Sequence, residues 1–148
     1  KLPVESLTVM VQKEAAVRIC AAPGTRACGA VSVAVQYYSQ PQILFDVPRD
    51  CFFPAPNVDS AVIRLNIRKE PPVKLETEEK QFFKLVKAAF GQRRKTVLNS
   101  LNTGLGKSKE ELSAALQQAG IAPTARAEQL TMEQFGTLCN LLFPNKTK

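Results

Sequence analysis

The chain has 148 residues, and an apolar content of 45% is typical of one globular domain or of two small ones. Lysine and arginine number 20 against 13 aspartate and glutamate residues, and the resulting net charge of +7 favours a polyanionic partner. Histidine is absent, which excludes Ser–His and Cys–His nucleophilic pairs and removes the usual second half of a zinc site.

The chain begins with a predicted strand and a predicted helix. Residues 7–11 are apolar and rich in β-branched side chains, a pattern that predicts a strand buried on both faces in a parallel sheet. Residues 13–22 carry apolar side chains at helical spacing, which predicts a short helix that ends at Pro23-Gly24.

Residues 29–40 fit two structures. Val31, Val33 and Val35 alternate as they would in a strand, and propensity favours that interpretation. Val31, Val35 and Tyr38 also lie on one helical stripe. The residues alone therefore leave strand and helix open.

Residues 41–48 and 59–68 are predicted strands that pair antiparallel. Prolines bracket the first strand, and the second alternates so that its apolar residues share one face: Ala61, Ile63, Leu65 and Ile67. The connection between the two strands carries most of the segment CFFPAPNVDSAV, residues 51–62.

Composition changes at residues 68–79, where two consecutive prolines and mixed charges indicate a linker. We place a domain boundary there, with a first domain over residues 1–70 and a helical domain over residues 71–148.

The second part of the chain has helical periodicity, which predicts a bundle of about four helices. Ser108 with Glu111 and Thr131 with Gln134 are the spacings of capping boxes at two of the helix starts. Gly120 and Pro144 are expected to end the corresponding helices.

The segment around Phe52 and Phe53 is the first candidate binding site. Pro54 and Pro56 fix the backbone and remove two hydrogen-bond donors, so the segment cannot pair as a central strand. One interpretation is a proline-rich bend with two buried phenylalanines, which remains open for Phe53 in particular. The other is a rigid platform on which an unpaired base stacks, a contact worth about 1–3 kcal/mol per base. Nearby aspartates, including Asp46 and Asp59, are predicted to be turn and strand-end carboxylates.

The second candidate is a basic stretch from residue 80 to residue 109 that contains eight lysine or arginine residues and no acid. Lys87, Arg93, Arg94 and Lys95 are its predicted RNA contacts. The last three are expected at a helix start, where cations oppose the helix dipole and the arrangement gains stability when phosphate binds. A solvated basic helix face is the alternative.

The four cysteines form no C-x-x-C pair: Cys20, Cys28, Cys51 and Cys139. We predict reduced thiols, a cytoplasmic protein and no metal site.

No stretch reaches the roughly 18 apolar residues of a membrane span, and no signal-peptide pattern opens the chain, so we predict no membrane segment. The chain starts at Lys1 without methionine and enters a strand almost at once, from which we expect a fragment.

Three segments together resemble, in order and spacing, the later part of the small-subunit ribosomal RNA adenine dimethyltransferases, the RsmA/KsgA family. They are TVMVQKEAAVRICAAPGT, VQYYSQPQILFDVPRDCFFPAPNVDSAVIRL and LVKAAFGQRRKTVLNSL. The resemblance implies an α/β plus all-α fold: the C-terminal part of a Rossmann-like class I methyltransferase sheet, followed by a small helical domain. It also favours a helix over residues 29–40, against their propensity.

The same resemblance implies an enzyme that uses S-adenosylmethionine to dimethylate N6 of two adjacent adenosines near the 3′ end of small-subunit rRNA. Phe52 is similar to the family's aromatic residue that stacks on the flipped adenine, with Phe53, Pro54 and Pro56 shaping the pocket. The family's glycine-rich cofactor loop and its N-L-P-Y motif lie upstream and have no counterpart in these 148 residues. We therefore expect no catalytic or cofactor-binding residue within the chain, no bound S-adenosylmethionine and no turnover.

The implied partners are small-subunit rRNA and the 30S ribosomal subunit precursor. A half-sheet leaves an edge exposed, so we also expect a dimer of the chain through that edge. Two alternatives remain: an Erm-type methylase of 23S rRNA, and a non-catalytic rRNA-binding or ribosome-assembly module.

Overall fold

The computed structural model describes residues 3–144. Lys1 and Leu2, which contribute to the expectation of a fragment, lie outside the described residues. The described elements, in chain order, are β1 (Ser6–Gln12), α1 (Lys13–Cys20), α2 (Ala30–Tyr38), β2 (Ser39–Val47), a 3-10 turn (Arg49–Cys51), β3 (Ser60–Ile67), α3 (Glu79–Ala89), α4 (Val97–Leu105), α5 (Lys109–Gln118), a second 3-10 turn (Ala127–Gln129) and α6 (Met132–Leu142).

The three strands form one sheet in the order β1-β3-β2, and β3 is antiparallel to both neighbours. The predicted antiparallel pair of β2 and β3 is confirmed. A register shift between Ile43 and Phe45 interrupts their pairing, and Pro41 lies in β2. A proline is tolerated there because β2 is at the edge of the described sheet.

The prediction for β1 is wrong in two respects. β1 pairs antiparallel, because the neighbour beside it is β3. It is also exposed, with Leu7 46% and Met10 51% accessible. Within residues 3–144 no strand pairs with its other edge, so the dimer expected through this edge stays a prediction.

Helix α1 packs on one face of the sheet. Its Ala16 is fully buried against Ala61 and Ile63 of β3, and Ile19 and Cys20 lie at the border of this small cluster. The alternation predicted for β3 and the helical spacing predicted for α1 are therefore both confirmed.

Residues 30–38 form helix α2, as the resemblance implied and propensity did not. Val33 and Tyr37, four residues apart, are buried in the larger core cluster with side chains from α3 to α6. Burial against other helices overrides the β propensity of the valines. This cluster contains residues from both sides of the predicted domain boundary, and the boundary itself stays a prediction.

The predicted helical bundle is confirmed as the four helices α3 to α6, and Gly120 follows α5 with a left-handed φ of 73°. The capping box at Thr131 and Gln134 forms with both of its hydrogen bonds. At Ser108 only half of the predicted box forms. Its hydroxyl accepts from the Glu111 backbone N–H, but the Glu111 carboxylate pairs with Lys107 instead of returning to the cap.

Candidate nucleic-acid interface

The loop between β2 and β3 carries the predicted stacking residues. We call residues 48–59 the aromatic loop. After the 3-10 turn, Phe52 is half-buried, whereas Phe53 is 102% exposed and Pro54 and Pro56 are also exposed. The Phe53–Pro54 peptide bond is cis.

The buried alternative for Phe53 is wrong. Phe53 lies in the loop after the 3-10 turn, and the residues that follow it, from 54 to 58, are exposed as well. A fully exposed phenylalanine gains nothing from the core, since its apolar surface stays in water. Phe52 combines partial burial with a surface that remains accessible.

The predicted basic cluster lies in the turn between α3 and α4, which we call the basic turn, residues 91–95. Arg93, Arg94 and Lys95 are exposed and directly precede the N-cap of α4, Thr96, whose hydroxyl accepts from the Asn99 N–H at 3.3 Å. None of the ion pairs found among residues 3–144 involves these three cations. Their charges are therefore available to a ligand.

The backbone of the basic turn is fixed by its own hydrogen bonds. Gln92 accepts twice through its carbonyl, from the Lys95 N–H at 3.1 Å and from the hydroxyl of buried Ser100 at 3.3 Å. These contacts hold the base of the turn against α4, so the cationic side chains project from a defined backbone.

The basic turn forms one wall of a cleft of about 910 Å³, which we call the basic cleft. The opposite wall comes from α1, from the loop after it and from the first residues of α2. Five cations line the basic cleft, together with the carboxylates of Glu14 and Glu128: Arg18, Arg26, Arg93, Arg94 and Lys95. Such an excess of positive charge in a concave surface attracts a polyanion.

Arg18 and Arg26 were not predicted as site residues. Arg18 lies in the last turn of α1 and Arg26 in the following loop, and neither belongs to a run of basic residues. They lie opposite Arg93 because α2 packs against both α1 and α3. Lys87 was predicted, but it does not line the cleft, and neither do the residues of the aromatic loop.

Cys28 also lines the basic cleft, but its thiol is not reactive. Burial raises its pKa to about 11, and a hydrogen bond with Ser32 opposes part of that shift. The thiol is therefore protonated at neutral pH, and a protonated thiol is neither a nucleophile nor a metal ligand. All four cysteines, Cys51 included, are free, as predicted.

The described residues do not fit an S-adenosylmethionine site. In a doubly wound sheet, a cofactor of this kind binds at a glycine-rich turn between a strand and the helix that follows it. Here β1 passes directly into α1 at Lys13, β2 passes into a 3-10 turn, and β3 into the linker.

In the part of the chain from residue 3 to residue 144 no helix is both long and apolar enough to cross a membrane.

Known proteins resemble this chain over nearly its whole length. The family model for ribosomal RNA adenine dimethylase matches residues 1–143. "Ribosomal RNA small subunit methyltransferase A" of Geobacillus sp. (strain WCH70) is 50% identical over 145 residues, which are 96% of this chain and 50% of that protein. The protein of the same name from Alkaliphilus oremlandii is 52% identical over 143 residues, which are 96% of this chain and 50% of that protein. The chain thus spans about half the length of the curated relatives it matches.

Two solved structures resemble the fold. A dimethyladenosine transferase from Plasmodium falciparum superposes with a TM-score of 0.70 at 22% identity, over 90% of this chain and 55% of that one. The 23S rRNA methyltransferase ErmE superposes with a TM-score of 0.64 at 26% identity, over 93% and 55%. A mixed α/β fold with a small antiparallel sheet followed by helices is therefore shared with these proteins.

Proposed function

Because this chain belongs to the ribosomal RNA adenine dimethylase family, we propose that it is the RNA-recognising half of a small-subunit rRNA adenine dimethyltransferase. The intact enzyme would transfer methyl groups from S-adenosylmethionine to N6 of two adjacent adenosines near the 3′ end of small-subunit rRNA. It would act in the cytoplasm on the precursor of the 30S subunit. The described sheet would be the C-terminal part of its Rossmann-like domain.

The observation that carries this proposal is the basic cleft. Its five cations come from two separate segments of the chain, residues 18–26 and 93–95, and none of them is paired within residues 3–144. Phosphate contacts of this kind fix the position and the register of a nucleic acid without reading its sequence. The cleft would hold the rRNA backbone while the target base is presented elsewhere.

The aromatic loop would present the surface for that base. An enzyme that modifies a base must first take it out of its stack. We place the flipped adenine on the accessible face of Phe52, with Phe53, Pro54 and Pro56 forming the rest of the pocket. The rigid loop lowers the entropy lost on binding, because its conformation is largely fixed before the base arrives.

Methyl transfer itself needs more than these residues. The exocyclic amine of adenine is a poor nucleophile because its lone pair is delocalised into the ring. Transfer therefore needs polar acceptors at N6 and a methyl donor held in line. We expect the 148-residue chain to bind RNA without S-adenosylmethionine and without turnover.

Relatives near 50% identity that are named as small-subunit methyltransferases favour small-subunit rRNA as the substrate. The likeness to ErmE keeps large-subunit rRNA as the second candidate. A non-catalytic assembly module is the third candidate, and it differs from the proposal in the absence of methyl transfer by the intact protein.

The proposal is tested by the salt dependence of RNA binding. Reversing two cleft charges, in Arg93→Glu with Arg94→Glu, removes two phosphate contacts. The slope of log affinity against log salt should then flatten by about 1.5, since each contact contributes roughly 0.7 to 0.9. Filter binding or fluorescence anisotropy with the 3′-terminal hairpin of small-subunit rRNA measures the slope.

The matched control is Lys84→Glu with Lys109→Glu. Both lysines are exposed and lie outside the cleft, and this variant has the same net charge as the first. Its slope should change much less. Equal slopes for the two variants would mean that net charge, rather than the basic cleft, determines binding.

A further inference from the structure

One arginine and one aspartate join the two ends of the aromatic loop. A single carboxylate oxygen of Asp59, Oδ1, accepts from the Arg49 backbone N–H at 2.9 Å and from its Nε–H at 3.1 Å. The guanidinium also donates through Nη1 to the Asn57 carbonyl at 2.8 Å. We call this set of contacts the loop clamp.

The loop clamp is connected directly to the proposed stacking residue. The Arg49 carbonyl accepts from the Phe52 N–H at 3.3 Å, and the Pro48 carbonyl accepts from the Cys51 N–H at 3.0 Å. The 3-10 turn that places Phe52 therefore begins at the residue that Asp59 holds. A displacement of Arg49 displaces the backbone of Phe52.

The far end of the clamp is anchored to the sheet and to α1. The Asp59 carbonyl accepts from the Lys13 N–H at 2.9 Å, where β1 passes into α1. The Lys13 ammonium in turn pairs with Asp46 near the end of β2. Through Lys13 the end of the aromatic loop is therefore connected to α1 and to β2, next to the start of β3. Residues 53–58, in the middle of the loop, are exposed.

Stability alone does not explain the clamp. The side chains of Arg49 and Asp59 are 53% and 46% exposed, and a surface ion pair of this kind contributes little to the free energy of unfolding. Hydrogen bonds from the backbone and the side chain of Arg49 lower the pKa of the Asp59 carboxyl. The consequence of the contacts is therefore local, in the conformation of the loop.

We propose that Arg49 and Asp59 are positioning residues that hold the aromatic loop in the conformation in which Phe52 receives the adenine. This inference rests on the proposed function. Neither residue touches the base. Arg49 and Asp59 reduce the number of loop conformations that compete with the binding-competent one. Less of the binding free energy is then lost in ordering the loop.

The experiment measures stacking separately from backbone binding. The 148-residue chain is titrated with an rRNA hairpin in which 2-aminopurine replaces one of the two target adenosines. Stacking quenches its fluorescence, and anisotropy of an end label reports RNA affinity. Asp59→Ala should reduce the population of the stacked complex about fivefold, the change expected from losing the net stabilisation of about one hydrogen bond. The salt slope should not change, because the basic cleft is intact.

Asp59→Asn is the conservative variant. It keeps an oxygen that accepts from Arg49 and loses only the charge, so it should retain most of the quenching. Arg49→Ala should also reduce the quenching, since it removes the bonds from Nε and Nη1. The double variant should lose less than the sum of the two single losses, because both single variants remove the same Nε–Oδ1 bond. If Asp59→Asn and Asp59→Ala lose quenching equally, or if the two losses add fully, the loop clamp is not the cause.

Phe52→Ala separates this inference from the proposed function. If it removes the quenching while Asp59→Ala and Arg49→Ala leave it unchanged, stacking is correct and the positioning role is wrong. If Phe52→Ala leaves the quenching unchanged, stacking on Phe52 is wrong and the positioning role fails with it. Circular dichroism of each variant confirms that it is folded, and Arg49→Ala and Asp59→Asn keep the test decisive if Asp59→Ala does not fold.

Discussion

At the scale of single residues, Gly104 determines how closely two helices approach. A Cβ atom at this position of α4 would lie 2.6 Å from the Cβ of Ala88 in α3. Gly104→Ala should therefore destabilise the fold by about 1–3 kcal/mol through overpacking, although alanine favours the helix. Chemical denaturation measures the change.

Thr103→Ala is the matched control for Gly104→Ala. Thr103 is the preceding residue of the same helix and is exposed, so its replacement should change the unfolding free energy by less than about 0.5 kcal/mol. A Gly104→Ala protein as stable as this control would mean that α3 and α4 can separate without cost.

The residues of the aromatic loop indicate what a sequence can predict at this scale. The order of prolines and phenylalanines was sufficient to exclude a central strand and to suggest a platform. It did not tell which phenylalanine is exposed, because neither residue has a periodic pattern around it. The turn before Phe52 begins at Arg49, which pairs with Asp59, and a pairing across ten residues of irregular backbone is not visible in the sequence.

At the scale of elements, β1 exposes an unprotected edge. Its seven residues, Ser6–Gln12, contain no charge and no proline, features that otherwise prevent edge-to-edge pairing. Two copies paired antiparallel about Val9 would place Leu7 opposite Val11 on one face and Thr8 opposite Met10 on the other. We expect the 148-residue chain to dimerise through this edge.

Sedimentation velocity at several concentrations tests the predicted dimer. Thr8→Lys with Met10→Lys sets like charges opposite each other and should yield a monomer, since both positions are exposed and the fold is not disturbed. Gln42→Lys with Phe45→Lys places the same charges on β2, whose proline and register shift already limit pairing, and should leave the dimer intact. A wild-type chain that is monomeric at all concentrations would refute the prediction.

The elements also differ in how well sequence predicts them. Helices α3 to α6 were predictable from periodicity and caps, since local propensity and burial favour the same structure. For α2, local propensity and burial favour different structures. Its alternating valines favour a strand, whereas the burial of Val33 and Tyr37 by the neighbouring helices explains the helix. For β1, an apolar run indicated a strand but not the direction of its neighbour.

At the scale of the whole molecule, the basic cleft depends on two parts of the chain that the sequence separates. Arg93, Arg94 and Lys95 were predictable because they are consecutive. Arg18 and Arg26 were not, since their place in the same cleft depends on how α1 packs against α2 and α2 against α3. Contacts of this kind are long-range, and no local pattern encodes them.

The two parts are also held together by a polar contact between α2 and α3. The Glu79 carboxylate accepts from the hydroxyls of Tyr37 at 3.3 Å and Tyr38 at 2.9 Å. The rings of Phe82 and Phe83 pack beside Tyr37, with ring centroids 5.2 and 5.3 Å from its own. Burial, reinforced by Glu79, raises the pKa of Tyr37 to about 12. This contact joins the end of α2 to the start of α3, and the opposite ends of the same two helices line the basic cleft.

Crosslinking to ribosomal particles shows whether this chain recognises small-subunit rRNA through the basic cleft and the aromatic loop. The 148-residue chain is mixed with 30S precursors and with large subunits, irradiated with ultraviolet light and analysed by mass spectrometry and RNA sequencing. We expect crosslinks from residues 48–59 and 91–95 to nucleotides near the 3′ end of small-subunit rRNA. Crosslinks that map to large-subunit rRNA, or to the surface of α5 and α6 instead of these segments, would mean that the chain binds another RNA or binds it through another surface.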